Sequence, residues 1–142
     1  MSFDIIIATY NNLVELKNCL KSFEDQTYKA FHVFVCVDGS TDGTVKFLNT
    51  AKFNFSFKVL QHPGQENMGR GATRNLAIPY LTSEYLLTFD SDITASAELL
   101  EKHYELLNIK DCVSVGEVVY QNTDKNIWAY YQQTRGKGKY KH

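Results

Sequence analysis

The sequence predicts an α/β fold with a largely parallel central sheet flanked by helices. Two observations carry that expectation. Five short apolar runs of strand type recur along the 142 residues, and stretches with helical spacing or cap residues lie between them. Strands that alternate with helices form parallel sheets through right-handed crossovers. A third observation is that polar clusters follow three of the strands, and open parallel sheets bind ligands at that rim.

The elements follow in order. Asp4 to Ala8 holds the run Ile5-Ile6-Ile7, a buried strand. Asn11 or Asn12 can cap a helix, and Leu13, Leu16, Leu20 and Phe23 then recur at steps of three and four to give one apolar face. Phe31 to Val37 is β-branched and aromatic, hence a second strand. Ser40-Thr41-Asp42-Gly43-Thr44 reads as a turn and cap, and Val45, Leu48 and Ala51 line the next helix. Phe57 to Leu60 is the third strand, and Gly64 to Gly71 a polar, glycine-bearing loop. A short helix starts near Ala72, and Pro79 helps to end it. Tyr85 to Phe89 is the fourth strand, Ser96 caps a helix through Leu107, and Cys112 to Tyr120 is the fifth strand.

Composition narrows the function. A hydrophobic share of 44% supports a real core, and a formal net charge of −1 lacks the basic field of a nucleic-acid binder. Cys19, Cys36 and Cys112 are scattered in apolar patterns without a CxxC pair or a Cys/His cluster, which argues for buried thiols rather than zinc. Met1-Ser2-Phe3-Asp4 has no basic n-region, and no apolar stretch has the length of a transmembrane segment. The reading is a cytoplasmic protein, with a peripheral place at the membrane as the alternative. The basic run Arg135 to His142 reads as solvated chain.

At the rim, Thr9, Tyr10 and Asn11 follow the first strand, Asp38 and Gly39 the second, and Asp90, Ser91 and Asp92 the fourth. The first turn has no glycine, and no GxxxxGK[ST] loop exists, so backbone cradling of phosphate is not available. Two carboxylates spaced D-x-D instead supply hard oxygen ligands for Mg²⁺ or Mn²⁺, which can bridge to phosphate oxygens. The competing reading of Asp90-Ser91-Asp92 is an Asp-rich turn. Asp38 can accept from a base N–H or a ribose hydroxyl, or merely form a turn with Gly39. Arg70 and Arg74 are candidate phosphate donors or surface arginines, and His62 is read as a loop residue.

The ordered series IIIATYNN, VDGSTDGT, GRGATRN and YLLTFDSD resembles the motifs of family 2 glycosyltransferases over about residues 3 to 95. The resemblance implies a GT-A fold of the nucleotide-diphosphosugar transferase type. It also implies inverting transfer of a sugar, UDP-linked by preference, to a saccharide or lipid-linked acceptor. It assigns Thr9, Tyr10, Asp38, Arg70, Asp90 and Ser91 to the nucleotide, and Asp92 with Asp90 to the metal, Mn²⁺ or Mg²⁺. Residues 1–142 then form a single GT-A-type domain, with 1–95 binding the nucleotide sugar and 96–142 beginning an incomplete acceptor-side region. No acidic motif after Asp92 matches a catalytic base. Glu117 and Asp124 lack the context, and Gln132-Gln133-Thr134-Arg135 lacks the tryptophan of the processive signature. The expected partners of such a chain include a missing C-terminal half or a second copy in a homo-oligomer. A non-catalytic binding or scaffold module is the alternative. A nucleotidyltransferase ranks last, because Thr9-Tyr10-Asn11 is unlike the glycine-rich loop those enzymes carry after the first strand.

Overall fold

A computed structural model of the chain describes residues 1–109 and 112–119. Four strands form one parallel sheet: β1 (Phe3–Thr9), β2 (Phe31–Val37), β3 (Ser56–Gln61) and β4 (Tyr85–Asp90), in the order β3-β2-β1-β4. The helices are α1 (Leu13–Glu24), α2 (Thr44–Thr50), α3 (Arg70–Asn75) and α4 (Leu99–Ile109), with a 3₁₀ turn at Ile78–Tyr80. The register pairs Ala8 with both Cys36 and Asp90, and Val37 with Gln61, so the carboxyl ends of all four strands lie along one rim.

Central β1 is covered on both faces, which explains its unbroken isoleucine run. On one face Ile5, Ile7, Val33, Val35 and Phe89 pack with Leu16, Leu20 and Phe23 of α1, Leu48 of α2 and Leu100 of α4. Each such buried side chain contributes about 1.5–3 kcal/mol relative to exposure. The other face is thinner: Ile6, Phe34, Cys36 and Ala77 form its buried cluster, edged by Leu60, Leu76 and Leu81.

The helix ends are capped across the chain rather than locally. Asn12 stands at the N-cap of α1 but makes no cap bond. The Leu13 amide donates instead to Asp42 Oδ2 at 2.8 Å. Asp42 Oδ1 accepts from the Thr44 amide at 3.1 Å and the Thr44 hydroxyl at 2.6 Å, so one carboxylate serves the starts of both α1 and α2. Burial works against its ionisation, but the bonds from Thr44 and Leu13 outweigh that and hold the carboxyl below its ordinary value. At α4 the expected Ser96 side-chain cap is supplied by Gln26, whose Oε1 accepts from the Leu100 amide at 3.0 Å and whose Nε2 donates to the Ser96 carbonyl at 2.7 Å. Buried Asp4 accepts from the Thr82 and Ser83 amides at 2.6 and 2.8 Å and fixes the entry to β4.

Helix α3 begins at Arg70, two residues before the expected start, and Pro79 sits in the 3₁₀ turn that follows it. The chain divides into two compact units, Met1–Lys110 and Asp111–His142, and every element above belongs to the first. In the second, residues 112–119 have no regular secondary structure, so the fifth strand is not formed there. Valine-rich composition favours a strand only where another strand supplies pairing, and the described strands pair in a four-stranded sheet. Cys19 and Cys36 are buried as expected, whereas Cys112 is exposed. No helix among the described residues is long and apolar enough to cross a membrane. Tyr120, Asp124, the Gln132–Arg135 run and the basic Arg135–His142 segment lie outside the described residues.

Candidate functional site

The rim holds a cleft of about 310 Å³. Thr9, Tyr10, Asp38, Arg70, Asp90, Ser91 and Asp92 all line it, joined by Ala8 and Asn12. These residues come from the ends of β1, β2 and β4 and from the start of α3, and the parallel register gathers them.

A polar chain closes the floor. The Thr9 hydroxyl donates to Asn12 Oδ1, and Asn12 Nδ2 donates to Ser91 Oγ at 2.7 Å. Thr9 and Ser91 are buried, so this chain ties the end of β1 to the end of β4. Asn12 reads in the sequence as a helix cap, and its position in the cleft depends on the β1–β4 pairing, which no local pattern reveals. Tyr10 lines the cleft and is 51% exposed. The tight turn beneath it uses Asn11 at φ 46°, whose Oδ1 accepts from the Thr41 amide at 2.7 Å.

Asp38 is buried. Its Oδ1 accepts from the Met68 amide at 2.7 Å, and its Oδ2 accepts from the Gly69 amide at 3.1 Å. The carboxylate thereby pins the glycine-bearing loop immediately before Arg70. Gly39 lets the loop approach: a Cβ there would stand 2.7 Å from the Asn67 nitrogen, and its φ is +70°. His62 lies beside this anchor, with Nε2 2.9 Å from Thr73 Oγ1 and 3.9 Å from Asp38 Oδ1. It braces the loop against α3 and does not line the cleft.

Asp90 and Asp92 are exposed at the cleft mouth. Arg74 Nη2 donates to Asp90 Oδ1 at 2.7 Å, an ion pair across the rim. Arg74 is therefore neither a cleft-lining donor nor an isolated surface arginine, the two options open from sequence. Beneath the aspartates Cys19 Sγ lies 3.7 Å from the Asp90 carbonyl. Burial, then the negative charge of Asp92 and Asp90, pushes its thiol up to about 12, so it is a neutral packing residue.

No cluster of three or more His, Cys, Asp or Glu converges among the described residues. A dedicated all-protein metal cage is thus absent from them. Two adjacent carboxylates at an open cleft do fit Mg²⁺ or Mn²⁺ in the manner where diphosphate oxygens and water complete the shell. The lining as a whole offers an aromatic side chain, two exposed carboxylates and one guanidinium, a set of groups suited to a metal-paired diphosphate.

Comparison with known proteins gives a consistent picture. The family model for glycosyl transferase family 2 matches residues 4–142. Putative glycosyltransferase EpsH of Bacillus subtilis is 34% identical over 89 residues, 62% of this chain and 25% of that protein. Poly(ribitol-phosphate) beta-glucosyltransferase of Bacillus spizizenii is 35% identical over 106 residues, 73% of this chain and 17% of that protein. The crystal structure of S. aureus TarS 1-349 in complex with UDP-GlcNAc superposes with a TM-score of 0.69 at 25% identity, covering 86% of this chain and 39% of that one. A mannosyltransferase from Pyrobaculum calidifontis, in complex with GDP-Man and Mn²⁺, shares the fold with a TM-score of 0.57 at 23% identity, covering 65% of this chain and 28% of that one. The chain spans about a quarter or less of the length of these two curated relatives.

Proposed function

The chain belongs to glycosyl transferase family 2, and from that premise we propose that its rim cleft binds the nucleoside diphosphate of a sugar donor for transfer to an acceptor hydroxyl. The observation that carries the proposal is the convergence of Tyr10, Asp38, Arg70, Asp90 and Asp92, from four separate segments, on one cleft. TarS, whose fold the chain shares, is a protein solved with UDP-GlcNAc and with UDP, which favours a UDP-linked donor here.

In this reading Tyr10 covers the nucleoside, and the Asp38 region frames the base. Each Asp38 oxygen accepts one amide and keeps a second acceptor position. Arg70 faces the diphosphate as a charge-assisted donor. Asp92, with Asp90, would hold Mn²⁺ or Mg²⁺, which would supply charge stabilisation for a departing diphosphate. The acceptor oxygen attacks the anomeric carbon in line, the bond to the diphosphate oxygen breaks with inversion, and a base takes the hydroxyl proton. Residues 96–142 begin the acceptor side of one GT-A-type domain, the acceptor is a saccharide or a lipid-linked one, and the place of work is the cytoplasm or its membrane surface.

One observation favours a second reading, a donor-binding module without transfer. Among the described residues the acids lining the cleft are Asp38, Asp90 and Asp92, and in this reading each has a part in donor binding, which leaves none of them as the base.

Titration calorimetry with UDP and GDP, in Mn²⁺ and in EDTA, tests the donor site. Metal-dependent UDP binding that weakens at least about tenfold in Asp92→Ala is expected, since loss of a ligand carboxylate leaves a charged partner unpaired. Absence of binding by either nucleotide under every condition would sink the proposal for this chain.

A further inference from the structure

The α3 region has anchors other than the Arg74–Asp90 pair. Phe34, Cys36 and Ala77 already pack that layer, and Asp38 already fixes its start through the amides of Met68 and Gly69. Arg74 also reaches across the rim to place Nη2 2.7 Å from Oδ1 of Asp90, which lines the cleft together with Asp92. Nε–H, on the same edge of the guanidinium as Nη2, is buried without a hydrogen-bond partner, a configuration that costs free energy. The pair thus sets one positive charge on a cleft carboxylate, through a single contact rather than a two-pronged one.

Resting on the donor-site reading, we propose that Arg74 competes with the divalent cation for Asp90, so that metal binds well only together with the diphosphate. A cation approaching Asp90 and Asp92 meets a fixed positive charge already paired with one of them. Like charges repel at short range, and the Asp90 oxygen must be shared or surrendered. The diphosphate brings negative charge of its own, which offsets Arg74 and restores the attraction. By linkage the cation must strengthen nucleotide binding by the same factor that the nucleotide strengthens cation binding.

The pair is partly exposed, with Arg74 at 30% and Asp90 at 53%, so the effect is modest. Removing the arginine charge should tighten binding of Mn²⁺ alone by about two- to fivefold, the scale of one such contact. Electron paramagnetic resonance of free Mn²⁺ gives the binding constant directly, without turnover, on the full 142-residue chain. Arg74→Gln should bind Mn²⁺ alone several-fold more tightly than wild type, and its binding should depend less on added UDP. Arg74→Lys, which keeps the charge, should stay near wild type. In an Asp90→Asn background the gain from Arg74→Gln should vanish. A purely structural role predicts weaker binding in Arg74→Gln and no rescue by lysine.

If Arg74→Gln leaves Mn²⁺ affinity unchanged or lower while Asp92→Ala still abolishes binding, the competition is overturned and the donor site stands. A gain of equal size in the Asp90→Asn background also overturns it, because the effect would then be general charge. Absence of Mn²⁺ binding by wild type and every variant, with and without UDP, removes the donor-site reading and this inference together.

Discussion

Asp38 shows how much a single side chain can hold. It is a buried carboxylate whose two oxygens each take one backbone amide, from Met68 and Gly69. Hydrogen bonds to a charged group contribute about 1.5–3 kcal/mol each. Asp38→Asn turns one acceptor edge into a donor facing an amide, and so should release the loop before Arg70. Gly39→Ala should release it by another route, since the added carbon would lie 2.7 Å from the Asn67 nitrogen at a φ of +70°. Amide hydrogen exchange at Met68 and Gly69 is expected to accelerate by tenfold or more in both variants, while amides in β1 change little. Unchanged protection in Asp38→Asn would mean that the loop is held by something other than this carboxylate. The sequence identified Asp38 and Gly39 as rim residues, but the partners lie about thirty positions away, beyond any local pattern. The same limit hid Arg74, whose partner Asp90 is sixteen residues on and becomes a neighbour only through strand pairing.

Helix starts are where the sequence and the structure diverge among the elements. The apolar runs and the Leu16, Leu20, Phe23 spacing located β1, α1, β2, β3 and β4 because burial imposes those periods directly. Caps follow a different logic, as any oxygen that reaches the first-turn amides will serve. Asn12 is turned to Thr9 and Ser91, and Asp42 caps α1 in its place. Asp42→Ala should therefore damage two helix starts at once, costing about 1 kcal/mol or somewhat more by the usual worth of a cap. Its folded carboxyl lies below the ordinary 3.8, so its contribution is fully present above that value. It is lost as pH falls through the lower folded value. Urea denaturation at pH 7 and pH 3 checks both statements: the gap between wild type and Asp42→Ala should be clear at the first and smaller at the second. A gap that widens towards acid would show that Asp42 is not the cap. The run from Cys112 failed as a strand for a related reason, because alternating valines signal compatibility with a sheet, and pairing must come from elsewhere.

Over the whole α/β layer structure, the two faces of the sheet are unequal, and the thinner one adjoins α3, whose Arg70 lines the cleft. Ile5 belongs to the large cluster under α1, α2 and α4, while its neighbour Ile6 belongs to the small cluster of Phe34, Cys36 and Ala77 beneath the α3 region. Both isoleucines are almost wholly buried, at 0% and 3% exposure, so side-chain burial alone would predict equal penalties. Truncation costs more where surrounding groups cannot close the cavity, within a range of about 2–5 kcal/mol for such changes. Ile5→Ala sits among helices fixed on three sides and should fall near the top of that range. Ile6→Ala can be partly relieved by movement of Leu60, Leu76 and Leu81, which are only partly buried, and should fall near the bottom. That relief has a consequence for function, because Leu76 and Ala77 directly follow α3, and α3 carries both Arg70 and Arg74 to the rim. Settling of this layer displaces guanidinium groups whose interactions with phosphate and carboxylate depend on geometry. Ile6→Ala should thus weaken UDP binding several-fold at a temperature where the protein is still fully folded, whereas Ile5→Ala, though less stable, should bind nearly as wild type until it unfolds. Parallel urea curves and calorimetric titrations decide the matter. If nucleotide affinity instead tracks stability in both variants, the thin layer has no special hold on the cleft, and the sheet and its helices act as one rigid support.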